Sequence, residues 1–346
     1  MWKNYLKRGL KYLLYYSGIL SLLNKIVKNN GIYILMYHRI GDTNDEYGHA
    51  LLSVNKEELI KQIRFFKRNY CCISLSEAIS ILEGKDKLDD NYVVFTFDDG
   101  YIDNFIYGEP IFKEFDIYPT VFLTAGNVDT GEPIWTEVVD EIFLNCPNPS
   151  KCNEVFDIGI PKKKLNINEI FNYSWMLKGI LTKMPQKDIV KSIEEIKKKA
   201  QYAPSAKTEL MDWGMVKELA NSGWTIGSHT MSHINLAIEP EEVVTRELFD
   251  SFKLIENRTG SKVQHFAYPF GTEQHISEYA IDVVKKYYNS AVMAVNGINK
   301  CGDDLFRLKR ITMCNHQSLI DIRFKLLRLK LTNFYSEKVN RLFVKG

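Results

Sequence analysis

The stretch VVFTFDDGYIDN, Val93 to Asn104, reads as a buried strand that ends in two adjacent carboxylates. Val93, Val94, Phe95 and Phe97 form the continuous apolar run expected of a strand covered on both faces. Asp98, Asp99 and Gly100 follow at its C-terminal end. The plain reading is a turn, with Asp bonding to local backbone and Gly supplying positive φ. Two like charges at one strand tip repel, however, and each loses hydration if buried. The pair therefore asks for something positive beside it.

Working outward, strands and helices alternate from residue 31 onward. GIYILMY (31–37), YPTVFLT (118–124), WTIGS (224–228), QHFAY (264–268), SAVMAV (290–295) and LKRITM (308–313) read as further strands. Helical patterns fall at 55–69, 103–115, 208–222, 240–258 and 275–288, the first with Leu59, Ile63 and Phe66 on one face. Such alternation implies a mainly parallel sheet, and about seven strands point to a barrel rather than an open sheet. Residues 127–205 break the rhythm and read as a helical insertion over the barrel mouth.

The 346 residues carry 45% hydrophobic and 25% charged side chains, a globular composition. The net charge of +2 is uneven. Residues 1–30 hold six Lys/Arg and no acid, and residues 317–346 carry +5, which leaves −9 on the rest. An acidic body is a poor nucleic-acid surface, and no nucleic-acid partner is expected, whereas basic ends suit anionic lipid better. Residues 1–30 read as a basic amphipathic helix, with Tyr15, Tyr16, Leu20 and Leu23 on one face, and 317–346 as a basic helix. The uncharged run from Tyr12 to Asn24 is too short to span a bilayer. Six cysteines without a CxxC pair fit free thiols in a reducing compartment. The expected location is cytoplasmic, peripheral at the inner membrane, with export as the alternative.

A second chemical motif is TIGSHTMSH. His229 and His233 stand four apart, directly after a strand. On a helical turn such residues share a face, and two imidazoles so placed hold one metal ion. Parallel strands put this strand end and the Asp98–Asp99 tip on one rim. Two histidines and one carboxylate leave coordination positions open, which is a catalytic arrangement. The third motif, HFAYPFG (265–271), has Pro269 and Gly271 to aim a backbone N–H into the mouth; alone it is a tight turn. His49, His265 and His275 read as structural.

TFDDGY, SHTMSH and FAYPFG, in that order, resemble the polysaccharide deacetylases, the NodB-homology domain of carbohydrate esterase family 4. LMYHRI and LKRITM are similar to the exopolysaccharide branch. The resemblance covers residues 31–316 and implies a distorted (β/α)7 barrel that removes acetyl from an N-acetylated glycan or lipid-linked sugar with a metal. It implies Asp98 as general base, Asp99, His229 and His233 as ligands of one ion, Zn²⁺ ahead of Co²⁺, Ni²⁺ or Mn²⁺, and the Tyr268 N–H as oxyanion donor. The third motif lacks the arginine common in the family; Arg310, in the last strand, is the candidate substitute, with a surface or structural ion pair as its plain reading. The general acid is His38 or His316. Two alternatives stand beside this reading: hydrolysis of another non-peptide C–N bond on the same fold, and a non-catalytic glycan-binding relict.

Overall fold

The computed structural model describes residues 11–26, 30–41, 52–202, 209–314 and 317–343. His49, His316 and residues 1–10 of the expected N-terminal helix lie outside them. Seven parallel strands form a nearly closed barrel. They are β1 (Gly31–Tyr37), β2 (Asn91–Phe97), β3 (Thr120–Leu123), β4 (Thr225–Ser228), β5 (His265–Ala267), β6 (Ser290–Val292) and β7 (Arg310–Thr312). Around the barrel the order is β7-β1-β2-β3-β4-β5-β6. Between β6 and β7 the ladder thins to a bridge from Val292 to Leu308.

The apolar runs behave as expected of strands buried on both faces: all seven residues of β1 are buried. Alternate residues serve two cores. Tyr33, Leu35, Tyr37, Val93, Phe95 and Phe97 pack outward in the larger cluster with the surrounding helices, including Leu59, Ile63 and Phe66 of Lys56–Asn69. Ile34, Val94, Phe122, Ala267 and Val292 belong to a second cluster inside the barrel. Gly227 is required by that filling, because a Cβ there would meet the Phe122 ring at 2.4 Å. Helix Leu75–Leu82, which shares the inner cluster, closes the N-terminal end of the lumen.

Register sets the rim. Tyr37 pairs with Phe97, Phe97 with Val121, Leu123 with Ser228, and Ser228 with Phe266. His38, Asp98 and His229 therefore leave the barrel at one level, each one residue past a paired strand end. Residues 127–205 contain helices Trp135–Asn145, Ile167–Leu181 and Gln186–Ala200 and the 3₁₀ turn Pro149–Glu154.

Several local expectations are corrected. The helix of 103–115 opens as a π-helix, Asn104–Gly108, before the α-helix Glu109–Glu114. Short strands Arg39–Gly41, Ser53–Asn55 and Cys71–Cys72 had no periodic signal. The N-terminal segment is broken at Gly18, whose φ is 76°. It forms a helical turn over 11–16 and the helix Ile19–Ile26. The break changes the exposed face: Leu20 is buried, and Tyr12, Leu13, Tyr16, Ile19, Leu22 and Leu23 point outward. The body side is tied by Lys11 to Asp321 at 2.7 Å and by Arg323 over the Tyr15 ring. The six cysteines are unpaired. The C-terminal helix runs Leu319–Phe343.

Candidate active site

The two carboxylates at the tip of β2 have different environments. Asp98 continues the ladder through its N–H to Tyr37 O, 3.0 Å. Its carboxylate receives both terminal nitrogens of Arg310 from β7, at 2.6 and 2.7 Å. Arg310 is fully buried and is aimed by its Nε donating to Met293 O at 2.9 Å. Burial pushes Asp98 up, but Arg310, His229 and His38 outweigh it and hold the carboxyl down at about 2. The positive group that the sequence asks for is thus a bidentate guanidinium inside the barrel.

Asp99 turns the other way because its φ is 75°, in the left-handed region that Asp tolerates better than most residues. Gly100 follows at φ 89°. The turn presents Asp99 to His229 and His233, whose Nε2 atoms each lie 3.6 Å from its Oδ1. The histidine pair does not sit on a helical turn as expected. Thr230 and His233 are left-handed, with φ 69° and 54°. That conformation is costly for a β-branched residue, and Thr230 is held by its carbonyl on Ala125 N–H and its hydroxyl on His233 N–H. His229 Nδ1 bonds Ala267 O at 2.7 Å, which leaves Nε2 facing Asp99.

The residues fit a divalent ion. One carboxylate oxygen and two imidazole nitrogens converge within 4.8 Å of one another, all buried. Asp99 Oδ1 has no hydrogen-bond partner among the described residues. Burial, then Asp98, pushes the Asp99 carboxyl well up, and burial pushes both histidines down. A cation at the convergence point reverses each penalty.

His38 completes this corner. Its Nε2 is 3.9 Å from Asp98 Oδ2, and its backbone carbonyl is pinned by Asn104 Nδ2 at 2.8 Å. Burial drives it down to about 4, with Asp98 only partly opposing. Asp103 holds the next two residues through Arg39 Nε and Ile40 N–H. The IDN end of the opening stretch therefore fixes the chain that carries His38.

One expected role is corrected. The Tyr268 N–H donates to Val292 O at 3.2 Å and its hydroxyl to Phe306 O, so its N–H belongs to the barrel ladder. Two residues on, Phe270 is left-handed at φ 60°, and its N–H has no partner among the described residues. Its ring packs on His233 at 4.7 Å. His265 has both ring nitrogens on Ser76 and Ser290, away from the rim. His275 borders the cavity and bonds Thr272 Oγ1.

These groups line a cavity of about 640 Å³. Its outer wall comes from the segment 127–205, through Thr136, Glu137, Asp140, Trp175, Lys178 and Lys183. Trp135 fastens that wall to the site, with its indole N–H donating to His233 O at 3.1 Å and its ring 6.0 Å from Phe270. The sequence reading missed all of these; the only available signal was a tryptophan at the start of an amphipathic helix.

The model of the polysaccharide deacetylase family matches residues 187–292, which hold the second and third motifs. The Bacillus subtilis (strain 168) protein YxkH, provisionally named a polysaccharide deacetylase, is 29% identical over 110 residues. That match covers 32% of this chain and 37% of YxkH. Among solved structures, the Streptococcus pyogenes deacetylase PplD, in complex with acetate, superposes with a TM-score of 0.58 at 19% identity, covering 87% of this chain and 98% of that one. IcaB from Ammonifex degensii gives 0.56 at 15% identity, covering 88% and 98%. A de-N-acetylase from Aggregatibacter actinomycetemcomitans gives 0.56 at 18%, covering 85% and 99%.

Proposed function

We propose that the chain is a polysaccharide deacetylase, a metal-dependent hydrolase that removes N-acetyl groups from an amino sugar of a glycan or glycolipid. The family match over residues 187–292 and the shared barrel support this reading. The observation that carries this reading is one buried corner with two differently treated carboxylates. Asp98 is clamped as an anion by Arg310, and Asp99 faces two histidines.

Asp99, His229 and His233 would hold a divalent ion, for which zinc suits the donor set, and when bound it would supply Lewis acidity for the acetyl carbonyl and for water. The rest falls to the chain. Asp98 Oδ accepts the proton of the attacking water, and Arg310 keeps that oxygen ionised and oriented. The Phe270 N–H, in place of Tyr268, donates to the oxygen on which charge develops. The proton that Asp98 takes from water passes through His38, whose Nε2 lies 3.9 Å from Asp98 Oδ2, to the leaving nitrogen as the C–N bond breaks, giving acetate and a free amine. His316 is the rival acid, and His38→Ala against His316→Ala separates the two. Acetate release from N-acetylhexosamine oligomers, with and without chelator, tests the reaction. Release that chelation does not affect sinks the metal-dependent reading.

We also infer that the N-terminal segment rests on an anionic membrane surface from the cytoplasmic side. Support comes from the outward Tyr12, Leu13, Tyr16, Ile19, Leu22 and Leu23 and from six Lys/Arg without an acid in residues 1–30. Among the described residues no helix is long and apolar enough to cross a membrane. Lys11 meets the first turn of the helix that follows β7, so this face begins near the rim that carries Asp98. That placement suits a lipid-linked sugar.

A further inference from the structure

Trp175 is 51% exposed, in a helix whose neighbouring Ser174 and Leu177 are buried. A large aromatic left in solvent on a cavity wall is available for a ligand. Beside it Lys178 pairs with Asp140, at 13% and 17% side-chain exposure, and Ser174 also donates to Asp140. The Lys178 ammonium lies 5.7 Å from the Trp175 ring centre, so ring and ion pair form one patch. Both helices of the patch are held in place. Trp135–Asn145 is fixed to the metal corner by Trp135, and Ile167–Leu181 is joined to it by Asp140. Asp140 follows Trp135 by five residues of helix, an axial step of about 7.5 Å away from the metal corner's anchor.

We propose that Trp175, with Asp140 and Lys178, forms a subsite for the sugar next to the one being deacetylated. The apolar face of a pyranose lies on the indole. Its hydroxyl groups meet the carboxylate and the ammonium, which offer acceptor and donors side by side. The barrel rim then performs the chemistry, and the inserted helices select for a chain of sugars over a single one. The inference rests on the N-acetyl sugar reading above.

The test compares N-acetylglucosamine with its β-1,4- and β-1,6-linked tetramers, using acetate release and, in the Asp98→Asn background, calorimetric binding. Trp175→Ala lowers kcat/KM on the preferred tetramer about tenfold, mainly through KM, and leaves the monosaccharide within about twofold. Trp175→Phe restores most of the loss. Equal losses on monomer and tetramer, or none on either, overturn the subsite. Tetramer binding that Trp175→Ala weakens, without acetate release by the wild-type protein, retains the subsite and overturns the deacetylase reading. Neither binding nor release on any probe overturns both.

Discussion

His229 and His265 start from the same circumstances and end in different chemistry. Each is 2% exposed and each lies at an end of a barrel strand. His265 opens β5 at the N-terminal end, where Ser76 and Ser290 take both ring nitrogens at 2.9 Å. His229 follows β4 at the C-terminal end, where one nitrogen is held by Ala267 O and the other faces Asp99 without a hydrogen bond. A buried histidine with both nitrogens satisfied ties structure together. A buried histidine with one nitrogen held and one aimed at a carboxylate is a ligand in waiting.

The comparison breaks first if activity does not follow the C-terminal rim. Asp98→Asn is expected to reduce turnover by roughly 10²–10⁴-fold while metal content, read by elemental analysis, stays intact. His229→Ala is expected to lose both. Metal loss in Asp98→Asn matching that in Asp99→Asn would mean the carboxylate roles are reversed. Next in size is Arg310→Met, which leaves the Asp98 carboxylate buried without its partner. Urea unfolding should show a loss of about 3–5 kcal/mol, and near wild-type stability would show that Asp98 is not clamped in solution.

His265→Ala sharpens the contrast from the other end. The buried Ser290 hydroxyl and the exposed Ser76 hydroxyl lose their partner, and the expected cost is about 1–3 kcal/mol, chiefly from Ser290, with kcat, KM and metal content unchanged. Lost metal would place His265 in the wrong class. Its pH signature has a definite sign. Burial pushes His265 down to about 4 in the folded chain, against about 6.5 when unfolded. The unfolded state therefore binds the proton first, so this stability is complete above about pH 6.5 and is lost as pH falls through 4. Between pH 7.5 and 5 the wild-type protein should lose about 2 kcal/mol more than His265→Ala. Parallel pH profiles would remove His265 as the source. The smallest effect concerns the outer surface. Sedimentation with vesicles containing anionic lipid should weaken on Leu13→Ser with Leu22→Ser and on raising salt, each basic group contributing roughly 1 kcal/mol. Equal pelleting with neutral vesicles would sink the electrostatic part.

Much of the barrel was legible because its strands are apolar runs between helices with a clear apolar stripe, as in Gly31–Tyr37 and Lys56–Asn69. The triad was legible because Asp99, His229 and His233 sit directly beyond strands that share a direction. The rest depends on backbone conformations that residue types do not announce. Tyr268 and Phe270 differ as donors only because one N–H remains in the ladder and the other follows Pro269 into a left-handed turn. The outward face of the N-terminal segment depends on the break at Gly18. The cavity wall from Trp135 to Lys183 has no spacing rule, since it is set by how two helices dock against the rim.

The pair of Asp98 and Arg310 also has a consequence in time. The two residues are 212 positions apart. At ordinary rates of synthesis, roughly 10–40 s separate the making of Asp98 from the making of Arg310. Until the last strand docks, the paired carboxylates at the tip of the second strand lack their guanidinium. Docking of the last strand therefore completes the barrel wall and supplies the counter-charge to Asp98 in the same step. A fragment ending before residue 310 would keep Asp99, His229 and His233 and lack the partner of Asp98, so the state of the Asp98 carboxyl reports whether the last strand has docked.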